Sequence, residues 1–77
     1  MRVTVFKNKE LIENSELCGC YYCLKIFKPN KIKRWLDEGL TATCPNCGVD
    51  SVVGDSQIEI NKETLKELQN TRFYSLT

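Results

Sequence analysis

Two Cys-x-x-Cys pairs, Cys20-Tyr21-Tyr22-Cys23 and Cys44-Pro45-Asn46-Cys47, stand twenty residues apart in a chain of 77. They restrict the fold more than any other feature. Two intervening residues let both sulfurs of a pair turn toward one point, and two pairs supply the four tetrahedral ligands that a structural zinc takes at about 2.3 Å. A shell closed by four soft thiolates leaves no position for water or substrate, so the metal expected at Cys20, Cys23, Cys44 and Cys47 is one structural Zn²⁺. An iron centre of the rubredoxin or iron–sulfur kind uses the same four thiolates, and the sequence does not separate it from zinc. Such a staple answers a need. Ordering 77 residues at about 1.5 kcal/mol each costs on the order of 100 kcal/mol, which a core this small offsets to near zero.

Disulfides are the competing use of paired cysteines. Met1 to Lys7 lack the apolar run and small-residue cleavage site of a signal peptide, and no segment reaches the roughly 18 apolar residues of a membrane span. A cytoplasmic chain is therefore expected, and in that reducing compartment short-spaced pairs point to metal first. Neither pair ends a strand in a βαβ pattern, as a thioredoxin-like redox motif would. Pro45 stiffens the second knuckle and Gly48 lets backbone amides swing toward the sulfurs; the first has Leu24 in the glycine's place, a less regular knuckle. Cys18, the fifth cysteine, could replace Cys20 as a ligand, remain a reactive thiol, or pack as a small buried hydrophobe, the simplest reading. Histidine is absent, which removes the commonest general base and the Ser-His and Cys-His nucleophile pairs. No enzymatic activity is expected.

The coarse organisation is a single domain over residues 1–77, with an N-terminal extension at 1–19, a zinc-binding core at 20–54 and a C-terminal helix at 61–71. Arg2 to Lys7, with Val3, Thr4, Val5 and Phe6, suits a short strand, and Glu10 to Leu17 a helical turn or a loop laid on the core. Pro29 to Gly39 reads as a helix: Pro29 fits a first turn, Gly39 a left-handed stop, and Ile32, Trp35 and Leu36 share a face directed at the core with Phe27. Leu40 to Thr43 is β-prone, and Val52-Val53 is expected to return as its hairpin partner. Asn61 is placed to cap the last helix, with Ile60 and Leu65 at hydrophobic-staple spacing. Asp50-Ser51 and Asp55-Ser56 look like local turn chemistry. The fold class is thus small α+β: a zinc ribbon or treble-clef-like, metal-organised domain with a helix between two Cys knuckles, a short β-hairpin and a C-terminal helix.

The formal net charge of +1 becomes −1 once four thiolates and a zinc, together −2, are included, so net charge selects no partner. Distribution says more. Lys25, Lys28, Lys31, Lys33 and Arg34 place five cations between Leu17 and Leu36 with no acid among them. The bland reading is a solvated face that balances the metal shell; the sharper one is a surface for phosphate or an acidic partner, with Tyr21 or Tyr22 stacking on bases. The chain ends in Phe73, Tyr74 and Leu76, apolar groups where a polar, frayed terminus is usual. This tail is a candidate for protein interaction or for joining two copies.

Residues Cys20 to Ser56 resemble a family of small, uncharacterised bacterial cytoplasmic zinc-ribbon proteins whose pattern runs Cys-x-Tyr-Cys, a Phe-containing hook, a helix with Trp, then Gly-x-Thr-Ala-x-Cys-Pro-x-Cys-Gly-x-Asp-Ser-Val. The matching positions are Cys20, Tyr22, Cys23, Phe27, Trp35, Gly39, Thr41, Ala42, Cys44, Pro45, Cys47, Gly48, Asp50, Ser51 and Val52. The resemblance implies a cytoplasmic, metal-bound module and transfers no activity; residues 1–19 and 57–77 lie outside it. The function expected is a non-enzymatic zinc module acting through protein–protein interaction, as a small bacterial or phage regulator or inhibitor would. The alternative is nucleic-acid binding through residues 25–34.

Overall fold

A computed structural model of the chain describes residues 4–73. Its organising element is β1 (Cys18–Cys20), a three-residue strand buried along its whole length. On one side it pairs antiparallel with β2 (Ile26–Phe27), the hook after the first knuckle, and on the other with β5 (Val52–Gly54), giving the order β2-β1-β5. Side chains alternate across a strand, and the two faces of this sheet bury different groups. Cys18, Cys20 and Val52 join Ile12, Ile32, Ala42 and Cys44 in one core cluster, against which Phe27 and Trp35 pack. Val53 joins Tyr21 and Leu65 in the other, with Ile58, Ile60 and Leu68 around them.

The second cluster is closed by α2 (Lys62–Phe73). Its start is capped by Asn61, whose Oδ1 accepts the Thr64 N–H at 2.8 Å, and the staple residues Ile60 and Leu65 meet in one cluster. Gly19 makes room for this helix: a Cβ there would fall 2.7 Å from Leu65 Cδ1. On the opposite face, the short α1 (Lys9–Glu13) contributes the fully buried Ile12. Behind α1, Ser15 presses against Gly54, where a Cβ would sit 2.1 Å from Ser15 Oγ and 2.8 Å from its Cβ. Gly54→Ala is expected to destabilise the fold by about 1–3 kcal/mol through overpacking. In a Ser15→Gly background the same substitution should cost measurably less, as read by chemical denaturation.

The helix expected between the knuckles is replaced by a single 3₁₀ turn, Pro29–Lys31, and then a β-hairpin of β3 (Trp35–Leu36) and β4 (Thr41–Ala42). The chain is already extended at Ile32, with φ −71° and ψ 124°. Asp37, Glu38 and Gly39 then all lie at positive φ, 53°, 61° and 86°, a left-handed run that no right-handed helix can contain. Asp37 is held there by the Thr41 hydroxyl, which donates to its Oδ2 at 2.7 Å. A short exposed helix is marginal in water, whereas the hairpin pairs Trp35 with Ala42 and lets Trp35 pack on the core with Ile32. Gly39 is left-handed as expected, but as the end of a hairpin loop. The hairpin expected between Leu40–Thr43 and Val52-Val53 is also re-partnered, β4 going to β3 and β5 to β1.

Of the N-terminal strand, Val5 is irregular and Phe6 and Lys7 form a turn, while residues 1–3 lie outside the described residues. The outcome is a small α+β fold with two helices and antiparallel sheets. No helix among the described residues is long and apolar enough to cross a membrane.

Candidate metal centre

The two knuckles are built on one backbone frame. In the first, Cys20 N–H donates to Lys25 O at 2.9 Å and Leu24 N–H to Cys20 O at 2.8 Å; in the second, Cys44 N–H donates to Val49 O at 2.9 Å and Gly48 N–H to Cys44 O at 2.9 Å. The amide two residues on points at each leading sulfur, Tyr22 N at 3.4 Å from Cys20 Sγ and Asn46 N at 3.3 Å from Cys44 Sγ. Gly48 takes φ 81°, and Leu24 takes the equivalent left-handed conformation at φ 66°. The first knuckle is therefore as regular as the second, with an L-residue in a conformation that costs roughly 1–2 kcal/mol. Packing of Leu24 against the cluster of Tyr21, Val53 and Leu65 offsets this.

β1 and its pairing with β5 carry Cys20 to the knuckle, and the β3–β4 hairpin returns the chain to present Cys44. The four ligand sulfurs of Cys20, Cys23, Cys44 and Cys47 all lie within 4.8 Å of one another. Two cross-knuckle edges, Cys20–Cys47 and Cys23–Cys44, are each 3.6 Å. A tetrahedron with about 2.3 Å metal–sulfur bonds has edges near 3.8 Å, so the sulfur frame fits a metal ion of zinc's size and preference. Cys18 is not in this group. It is fully buried in β1 between Phe27 and Gly54, and burial, with the charge of Asp55, pushes its thiol up to about 12. It packs as a small hydrophobe.

Ser51 belongs to the site and was missed as local turn chemistry. Its hydroxyl lies 3.1 Å from Cys20 Sγ, and its carbonyl accepts the Tyr21 N–H at 3.1 Å, locking one knuckle to the chain that leaves the other. Burial pushes the Cys20 thiol up to about 12, against the opposing Ser51 hydroxyl and the amides of Cys23 and Tyr22. Burial also acts to raise Cys23, but the Lys25 amide and the Asn46 side chain outweigh it and hold that thiol at about 7. Burial raises Cys47. Metal binding at neutral pH must then displace at least the Cys20 proton, and below about pH 7 the Cys23 proton as well. Affinity should fall as pH falls, more steeply on the acid side of 7. Ser51→Ala should weaken zinc binding by roughly 10–100-fold at fixed pH, the usual range for a lost hydrogen bond to a ligand. Competition with a chromophoric chelator measures both.

The other expected site residues divide. Tyr21 is buried in the second cluster and offers no stacking face, whereas Tyr22 is 52% exposed at the knuckle tip. Lys25, Lys31 and Lys33 converge on a cleft beside the second knuckle, with Arg34 and Lys33 on that knuckle's other flank. Lys28 lies apart, with Glu16, Leu17 and Asp55. Phe73 ends α2, and Tyr74 and Leu76 lie outside the described residues. No protein-family model, curated protein or solved structure matches the chain.

Proposed function

We propose that the chain is a non-enzymatic module organised by one structural zinc, which works by presenting a surface to a macromolecular partner. The carrying observation is the convergence of four thiols from two matched knuckles within 4.8 Å. A shell of this kind is satisfied by its own four donors and leaves the metal no open position for chemistry. The absence of histidine and the likeness of Cys20 to Ser56 to bacterial zinc ribbons support the same reading. Elemental analysis of purified protein should give one zinc per chain; iron in its place, or no metal, overturns the metal assignment.

A protein partner, as for a bacterial or phage regulator or inhibitor, is supported by the apolar tail Phe73, Tyr74 and Leu76. Alanine at these three positions should abolish partner capture or self-association with zinc content intact. An inert monomer in sedimentation and pull-down, with and without the tail, would end that reading. Nucleic-acid binding is favoured by a separate observation on the described surface. Lys25, Lys28, Lys31, Lys33 and Arg34 are exposed, and the one ion pair among the described residues is Lys9–Glu13, at 3.9 Å on α1. Lys28 shares its recess with Glu16 and Asp55, but Lys25, Lys31, Lys33 and Arg34 line clefts with no acidic residue and raise the local potential for an anionic partner.

A further inference from the structure

We infer that the cleft between the β2 hook and the second knuckle is a binding site for single-stranded nucleic acid, with Lys25, Lys31 and Lys33 on its phosphates and the exposed Ile26 against a base. This rests on the nucleic-acid reading above and gives it a location and a ligand form. The cleft has a volume of about 320 Å³ and is bounded on its far side by Pro45 and Asn46 at the knuckle tip. Its lining is partly apolar: Ile26 is 40% exposed, and Phe27, on the other face of β2, packs partly on the core while also bordering the cleft. Its rim is cationic, and Lys33 also borders the notch beyond the knuckle, which adds Arg34. The positive track thus continues past Asn46 rather than ending in the cleft.

An apolar contact flanked by ammonium groups matches a ligand that offers an unstacked base and a phosphate at each step. A duplex hides its base faces, and reading it takes a helix or ribbon that enters a groove. The only long helix among the described residues, α2, exposes Lys62, Glu63, Lys66 and Glu67, of mixed sign, and the β3–β4 ribbon carries the exposed acids Asp37 and Glu38 at its tip, so neither a basic helix nor a basic ribbon is available for that. An acidic peptide would satisfy the lysines but has no regular apolar group for the exposed Ile26.

The test is fluorescence anisotropy with the zinc-loaded full chain and a labelled oligothymidylate about 12 nucleotides long, within the usual site size. Binding should weaken with salt, log K against log[salt] sloping near −2 for three phosphate contacts at about −0.7 each. Lys25→Ala, Lys31→Ala and Lys33→Ala should each reduce that slope by about 0.7. Ile26→Ser, at an exposed position and without added charge, should weaken binding severalfold by removing the apolar contact with a base. Lys66→Ala on α2 should change nothing.

No binding at low salt, binding indifferent to the three lysines and Ile26, or equal affinity for duplex or an oligoglutamate peptide would each overturn the proposal. Zinc content and thermal unfolding of the same samples separate the levels. Full zinc with no oligonucleotide binding removes only the cleft, whereas a chain that folds without metal removes the module reading itself.

Discussion

Stripping zinc with a strong chelator at neutral pH should abolish the cooperative unfolding transition of residues 20 to 54. The ligands are themselves core: Cys20 and Cys44 are buried members of the larger cluster, and the partly exposed Cys23 and Cys47 pack against it. Without metal, four sulfurs held within 4.8 Å must either keep their protons in a poorly hydrated site or ionise against one another. The strands between them run two or three residues each, too short to hold register alone. A structural zinc contributes on the order of 10–16 kcal/mol, against a total stability of about 5–15 kcal/mol for an ordinary domain, so its loss exceeds any reserve. Cys44→Ser should behave like chelation. Cys18→Ala should keep one zinc per chain and lose only about 1 kcal/mol for a small buried group. Trp35 fluorescence and circular dichroism, read beside elemental zinc, follow both. A chain that retains its transition in chelator would show that the cysteines do not carry the fold.

What the sequence revealed tracks the distance over which each signal acts. The knuckles were legible because Cys-x-x-Cys encodes its geometry within four residues, and α2 because Asn61, Ile60 and Leu65 act within one turn and a half. Pro29 to Gly39 misled for the complementary reason. Its apolar spacing suits a helix, but the left-handed Asp37-Glu38-Gly39 loop is fixed by Thr41, and Trp35 finds its place through a strand that the local pattern does not favour. Short polar residues were least legible of all. Asp55 does not cap its own turn: its carboxylate accepts the Glu16 and Leu17 amides, each at 3.1 Å, across 39 and 38 residues. Ser56 donates to Leu11 O at 2.7 Å, 45 residues back. Nothing local distinguishes such a residue from an ordinary turn former, since the partner is set only by the finished topology.

Asn8 gives the largest expected effect away from the metal. It opens α1 and is 1% exposed, yet its side chain caps no helix amide. Its Nδ2 donates to Val52 O at 2.8 Å, and its Oδ1 accepts the Ala42 N–H at 3.3 Å. Val52 lies in β5, which pairs with the strand that carries Cys20, and Ala42 in β4, two residues before Cys44. One buried amide therefore ties together the two sheets that each deliver a ligand. Next to it Lys7, at φ 51°, donates its N–H to Thr41 Oγ1 at 2.8 Å, so the N-terminal segment is stitched to β4 twice. Asn8→Ala strands one buried carbonyl and one buried amide at about 1–3 kcal/mol each, an expected loss of about 2–6 kcal/mol by denaturation of the zinc-loaded chain. Asn8→Asp keeps the acceptor for Ala42 but removes the donor to Val52 and buries a charge beside a carbonyl oxygen, so at neutral pH it should lose more than alanine does. If aspartate were tolerated better than alanine, space filling rather than the paired hydrogen bonds would explain the site. Both variants should also release zinc sooner under chelator, because loosening the junction between the sheets lets the knuckles part before either one unfolds.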